Sequence, residues 1–355
     1  MYSDIIVLID DTQYGQNHFK EVRNELPRIK KMKAEKLDID TLRKAAKMSM
    51  SKTFFVVDKN TVFDLADLDS LSIDEFDAKY VNIWNTNTDI GTIIFTSKTA
   101  LAESKQAEVF EEVGLGVKYR EESVGYKRPY DVFFISYDEP NAEENWEQLI
   151  QKVPYAKRVH RVKGIFNAHK AAAEQSASKM FFVVDGDSEI VDGFDFSLEI
   201  FNEESKYVHI WKARNPVNGL EYGYGGLKLF CTDMFENMTG EMPLDMSTLI
   251  GNGVKLIDTV ASITRFDSSA FHTYRGAFRE CAKLASKQIK NQVDEETDAR
   301  LEAWLDNGFG KYGTEAKTGA LEGMRFGRAY KNNQAMLAKI NDYEWLYEQY
   351  ANTFK

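Results

Sequence analysis

The 355-residue chain has two cysteines, Cys231 and Cys281. Two are too few for a disulfide framework and fit a reducing compartment, with each thiol a small buried apolar side chain. No apolar run approaches the roughly 20 residues of a membrane span, so no membrane partner is expected. Nothing basic or long and apolar precedes the strand-like run Ile5–Ile9. No signal peptide is therefore expected, and the protein reads as cytoplasmic. A basic excess is also missing, since the net charge is −11. That argues against a protein that coats nucleic acid through overall charge, but not against an enzyme with a local basic patch. A hydrophobic fraction of 43% with 13% aromatic residues is ample for packed cores. The length fits two to three domains.

What the chain does have is a repeat of itself at a shift of 127 residues. The run Asp4-Ile-Ile-Val-Leu-Ile-Asp-Asp11 falls on Asp131-Val-Phe-Phe-Ile-Ser-Tyr-Asp138. Phe54-Phe-Val-Val-Asp58 falls on Phe181-Phe-Val-Val-Asp185, and Tyr80-Val-Asn-Ile-Trp84 on Tyr207-Val-His-Ile-Trp211. The expected fold is α/β: two tandem Rossmann-like modules from an internal duplication, 1–115 and 130–285, followed by a helical C-terminal region, 286–355, packing on both. Residues 114–129 read as a linker. Continuous apolar runs predict strands buried on both faces of a parallel or mixed sheet.

In copy one the pattern predicts helices at 17–33, 38–50 and 97–112, strands at 5–9, 53–57, 80–84 and 92–95, and a loop at 64–71. In copy two it predicts strands at 132–136, 180–184 and 207–211 with helices at 142–151 and 165–176. Beyond these lie helices at 277–293, 295–306, 318–328 and 335–350. Gly91-Thr-Ile-Ile-Phe95 matches Gly226-Leu-Lys-Leu-Phe230, an offset of 226 − 91 = 135. Copy two is thus expected to carry 135 − 127 = 8 extra residues around 212–224, including Arg214, Asn215, Asn218, Tyr222 and Tyr224. They read as a substrate loop.

The copies differ where chemistry can sit. Copy one has Asp58-Lys59-Asn60; copy two has Asp185-Gly186-Asp187. Asp185 should emerge at the carboxyl end of a buried strand, where open α/β sheets bind ligands. Asp185 and Asp187 can approach one hard divalent ion, Mn²⁺ or Mg²⁺, with diphosphate oxygens completing its shell. Upstream, Arg161 and Lys163 precede a helix opened by Gly164, and Asn167 and Lys170 share one of its faces. An inverting transfer to a hydroxyl would also need a carboxylate base; Asp233, Glu241, Asp245 and Asp258 are the candidates, and Asp245 is preferred, though its setting also suits a helix cap.

These features resemble the GT-A glycosyltransferases, and more narrowly the DNA glycosyltransferases of large tailed phages. The resemblance lies in Ile135-Ser-Tyr-Asp-Glu-Pro-Asn141, Val162-Lys-Gly-Ile165, Ala168-His-Lys170, Val183-Val-Asp-Gly-Asp187, Tyr224-Gly-Gly226, Ala277-Phe-Arg-Glu-Cys-Ala-Lys-Leu284 and Ile340-Asn-Asp-Tyr-Glu-Trp345. It implies a UDP-sugar donor and transfer of arabinose or glucose to 5-hydroxymethylcytosine in double-stranded DNA, in a phage-infected bacterial cell. It further implies that Tyr137 and Asp138 face the base and ribose of the donor. Asp185 and Asp187 would hold the metal, and Gly225 and Gly226 would lie along the donor. His272 is a further metal or diphosphate candidate that also reads as structural, while His160, His169 and His209 read as packing or surface. Arg214 and Tyr224, with Arg275, Arg279, Lys311 and Arg325 among the basic residues of the tail, are the candidates for acceptor DNA. Two other readings stay open: a glycosyltransferase acting on another acceptor, and a non-enzymatic scaffold or binding protein.

Overall fold

The computed structural model describes residues 3–27, 29–34, 37–58, 61–62, 77–84, 92–103, 117–119, 126–127, 129–198, 200, 204–223, 226–236, 250–288, 292–306 and 310–355. The expected loop at 64–71, and Asn60, Tyr224, Gly225, Glu241 and Asp245, lie outside the described residues. The chain divides into two compact units, residues 1–129 with 175–178, and residues 130–174 with 179–355.

The first unit begins with β1 (Asp4–Ile9), α1 (Gln13–Glu25), β2 (Lys30–Lys33), α2 (Ile39–Met48) and β3 (Thr53–Val57). After β4 (Thr61–Val62) come β5 (Val81–Trp84), β6 (Ile93–Ser97), α3 (Lys98–Glu103), β7 (Val117–Tyr119) and β8 (Tyr126–Lys127). Six strands form one sheet in the order β2-β1-β3-β6-β5-β7, while β4 pairs with β8. The apolar runs are continuous because successive residues enter different cores. Ile5, Val7 and Ile9 pack in one cluster with Phe55 and Val57; Ile6 and Leu8 pack in another with Phe54 and Val56.

The second unit has β9 (Asp131–Ser136), α4 (Ala142–Lys152), β10 (Lys157–His160), α5 (Ile165–Gln175), β11 (Met180–Asp185) and β12 (Ser188–Ile190). There follow β13 (Val208–Arg214), β14 (Glu221–Tyr222), β15 (Leu227–Cys231) and β16 (Val254–Thr264). Its sheet runs β10-β9-β11-β15-β13-β16-β12, with β14 on β13. Apart from β12 and β14, each strand takes the place of one in the first sheet, and the pairing directions agree. Both sheets are therefore mixed.

The register carries the duplication down to single residues. Asp4 pairs with Phe54 and Asp131 with Phe181, each member displaced by 127. An ion pair is repeated too: Lys30 Nζ to Asp4 at 2.8 Å, and Lys157 Nζ to Asp131 at 3.2 Å. The register also corrects the size of the insertion. Val57 pairs with Ile93 and Val184 with Leu227, an offset of 227 − 93 = 134, so the second copy gains 134 − 127 = 7 residues rather than eight. Matching Gly91 with Gly226 slips the strand by one residue, which would turn every β15 side chain to the opposite face. Part of the inserted stretch extends β13 to Arg214, where β14 folds back against it.

Other differences from the sequence expectation have one cause. β2 occupies the end of the expected helix at 17–33, β10 was not anticipated, and β7 and β8 lie within the expected linker. Lys30-Lys-Met-Lys33 and Lys157-Arg-Val-His160 are outer strands whose charged side chains hide the strand pattern. The long strand β16 is hidden in the same way, because its first seven residues are all partly or fully exposed.

The C-terminal helices are α6 (Ala270–Ser286), α7 (Asp294–Asp306), α8 (Gly313–Tyr330), the short α9 (Gln334–Leu337) and α10 (Tyr343–Thr353). The single helix expected at 335–350 breaks at Asp342, which caps α10 by accepting from Trp345 N at 3.1 Å. All these helices belong to the second compact unit, so the expected boundary at 285/286 does not separate two bodies. The reason is α8. Its Gly319, Gly323 and Gly327 lie directly on the α6 backbone, and a Cβ at Gly323 would stand 2.1 Å from Phe278 O. Glycine at every fourth position makes a groove for one ridge of α6, formed by Tyr274, Phe278 and Ala282. Both cysteines are buried and unbridged. Among the described residues, no helix is long and apolar enough to cross a membrane.

Candidate functional site

Strand β11 delivers the acidic turn. Met180 to Val184 are at most 3% exposed, and Asp185 is the first residue of the strand to reach partial exposure. Its amide donates to Gly226 O at 2.8 Å, as Asp58 N does to Thr92 O in the first unit. Gly226 has no room for a side chain, since a Cβ there would meet Ser188 Oγ at 1.6 Å. The β11 turn and the start of β15 thus meet backbone to side chain. Gly186 is closed in likewise: a Cβ would lie 2.7 Å from Glu139 Oε2, and Asn145 holds the Gly186 carbonyl at 3.0 Å. The glycine brings the Glu139 carboxylate against the acidic turn.

Lys228, a buried lysine, donates to Asp185 Oδ2 at 2.8 Å. The other oxygen, Oδ1, is buried and has no hydrogen-bond partner. Asp187 accepts from Ser188 Oγ at 3.3 Å, and its carbonyl accepts from Arg265 N at 2.7 Å. Burial lifts the Asp187 carboxyl to about 6, reinforced by the charges of Asp185 and Glu139 and opposed by Arg275 and Lys228. An unsatisfied buried oxygen, and a carboxyl raised by burial and then by its acidic neighbours, are what a divalent cation would relieve. Asp185 and Asp187 could therefore offer two carboxylates to a divalent cation. Among the described residues, no three His, Cys, Asp or Glu side chains are grouped as a complete metal site.

The cleft in front of Asp187 is lined by Glu139 and Asn141 on one side and by His272, Arg275 and Arg279 of α6 on another. His272 Nδ1 is 2.8 Å from Ser269 Oγ and Nε2 is 3.1 Å from Tyr343 Oη. Burial, then the Arg275 charge, lowers the imidazole to about 4, so it is neutral at pH 7. Arg275 lies 4.9 Å over the Tyr343 ring, and Arg279 donates to Asn341 Oδ1 at 2.9 Å. The tail thus supplies one wall of the cleft and the groups that hold that wall.

The remaining sequence candidates among the described residues do not line this cleft. Tyr137 is exposed, and Asp138 pairs with Arg161 at 3.2 Å. Lys163 and Asn167 are exposed beside each other, with Asn167 Nδ2 on Lys163 O at 3.0 Å, and Lys170 is half-buried on the same helix. Arg214 is engaged by Glu221 at 2.8 Å; Lys311 lies 5.0 Å over Tyr312, and Arg325 is exposed on α8. Asp258 forms an ion pair with Lys212, and Asp233 lies 3.8 Å from Lys179. His169 is buried and bonded to Ile165 O, His209 is buried beside Glu204, and His160 meets Ser136 Oγ. Sequence reasoning missed Lys228 and Glu139. The signal for Lys228 was a lone lysine inside Leu227-Lys-Leu-Phe-Cys231; Glu139 carried none beyond its nearness to Asp138.

No protein-family model matches the chain, and no curated protein matches its sequence. Among solved structures it is similar to HddC from Yersinia pseudotuberculosis, at 13% identity and a TM-score of 0.26, over 37% of this chain and 91% of that one. A likeness that slight carries no functional argument.

Proposed function

We propose that the second unit is a metal-dependent glycosyltransferase. It moves arabinose or glucose from a UDP-sugar to the hydroxyl of 5-hydroxymethylcytosine in double-stranded phage DNA, inside the infected bacterial cell. One observation carries the catalytic part: Asp185 ends a buried strand with one oxygen held by Lys228 and the other buried without a partner, two residues before Asp187. A bound Mn²⁺ or Mg²⁺ would neutralise charge on the leaving diphosphate. Asp185 and Asp187 hold that end of the donor at the mouth of the sheet. The bond from sugar C1 to the diphosphate oxygen breaks, a bond from C1 to the acceptor oxygen forms, and the hydroxyl proton passes to a base, proposed as Asp245. Support for the DNA acceptor comes from the sequence resemblance over the second copy and the tail.

The test is incubation with a panel of nucleotide sugars, Mn²⁺ and hydroxymethylated DNA, followed by nucleoside mass spectrometry. A glycosylated nucleoside that disappears with Asp187→Ala is expected; equal product from the variant rules out the metal role of Asp187. A second reading is transfer to a smaller acceptor. It draws support from Arg214 being engaged by Glu221 and from Lys311 and Arg325 lying outside the cleft. Product on a small hydroxylated acceptor, with none on DNA, would select it.

A further inference from the structure

Arg275 and Arg279 were candidates for DNA contacts, yet the fold sets them in the same cleft as Asp187. They are one turn apart on α6, so both guanidinium groups come off the same face. The adjacent face of α6 is fixed by the α8 glycines against Tyr274 and Phe278. The face carrying the arginines therefore has little freedom to move.

Each guanidinium is held at one place and unsatisfied at another. Arg279 is tied to Asn341 at 2.9 Å and Arg275 rests on the Tyr343 ring at 4.9 Å. The Nε of each is buried with no hydrogen-bond partner. Two half-buried cations side by side are costly: burial, then the Arg275 charge, pulls Arg279 down to about 10. The nearby acids do not discharge them. The Asp187 charge is felt at Arg279, but among the described residues no ion pair joins Arg275 or Arg279 to Asp187 or Glu139. A gap is left between a cationic wall and an anionic one.

We propose that Arg275 and Arg279 form a diphosphate site, gripping the phosphate oxygens of the nucleotide donor opposite Asp185 and Asp187. This rests on the donor reading above. The arginine fork matches phosphate oxygens. A diphosphate accompanied by a divalent cation offers negative charge to the arginines and positive charge to the carboxylates, as the two walls require. A DNA phosphodiester shares the phosphate chemistry. It fits less well, because the unpartnered Nε atoms are buried and the facing carboxylates repel a polyanion.

The experiment is calorimetric titration of the full chain with inorganic pyrophosphate and with UDP, each with Mn²⁺. In parallel, a short DNA duplex is followed by fluorescence anisotropy. Arg275→Gln and Arg279→Gln should each weaken pyrophosphate and UDP about tenfold or more, Arg279→Lys should lose less, and duplex affinity should stay unchanged. Wild-type UDP affinity in both Gln variants overturns the site while leaving the donor reading standing, and so does a loss confined to the duplex. Arginine-dependent pyrophosphate binding without sugar transfer from any nucleotide supports the site and removes the donor reading. A wild-type chain that binds neither probe overturns both. If a Gln variant does not fold, the wild-type protein answers: pyrophosphate should shield Arg275 from phenylglyoxal in a peptide mass map, and no shielding counts against the site.

Discussion

Lys228 reaches across from β15 to hold one oxygen of Asp185 on β11 at 2.8 Å, and it does so from a nearly buried position. The lysine occupies ground that a metal would share, so it stabilises the carboxylate and would compete with a bound ion.

Replacing it separates the two effects. Lys228→Met should lower the unfolding free energy by about 1–3 kcal/mol, because Asp185 is left half-buried without a counter-charge. The same change should tighten Mn²⁺ several-fold by removing the competing cation. Urea unfolding with and without Mn²⁺ reads both, and unchanged metal affinity would show that Lys228 and the ion use different oxygens.

The contact between Gly226 and Ser188 is testable by a double-mutant cycle. Gly226→Ala places a methyl group 1.6 Å from Ser188 Oγ and should displace the acidic turn, with losses in stability and in Mn²⁺ affinity. Ser188→Gly in the same chain should restore part of both, a coupling of about 1–2 kcal/mol. Strict additivity would mean that the turn relaxes some other way.

Asp4 gives a pH dependence. Burial alone would raise its carboxyl, but hydrogen bonds from Lys30, Met50, Ser49 and Ser51 outweigh that and hold it well below the usual carboxylate range. A lowered folded value contributes stability that is present above the unfolded value of 3.8 and is lost as pH falls below it. The stability gap between wild type and Asp4→Asn should therefore stay level from about pH 8 to 5 and narrow steadily below about pH 4. Urea midpoints across that range measure it, and a gap that persists to low pH would place the effect in packing instead.

The α6–α8 contact predicts a sharp positional effect. Gly323→Ala should cost about 2–3 kcal/mol, because its methyl group has only the Phe278 backbone to push against. Lys317→Ala, exposed on the same helix, should change stability by less than about 0.5 kcal/mol. Thermal unfolding compares them, and equal midpoints would mean that the helices are not in direct contact.

The duplication and the buried strands were readable because repeated runs such as Phe-Phe-Val-Val-Asp preserve both spacing and burial. Asp185 and Asp187 were readable for the same reason, as the place where two matched copies part. The outer strands were not, since Lys30-Lys-Met-Lys33 has no apolar face to display. Lys228 escaped notice because its importance depends on the register between β15 and β11. The arginines of α6 were visible only as scattered charges. Their shared cleft comes from helix packing, which one-dimensional spacing does not encode.

The glycine groove of α8 also decides how the protein can be divided. A fragment ending at residue 285 would lack the helix on which Tyr274, Phe278 and Ala282 rest, together with Asn341 and Tyr343, which steady the two arginines. Such a piece would carry every matched residue of the second copy and still present a loosened cleft. The shortest fragment worth producing runs from residue 130 to the last residue of the chain.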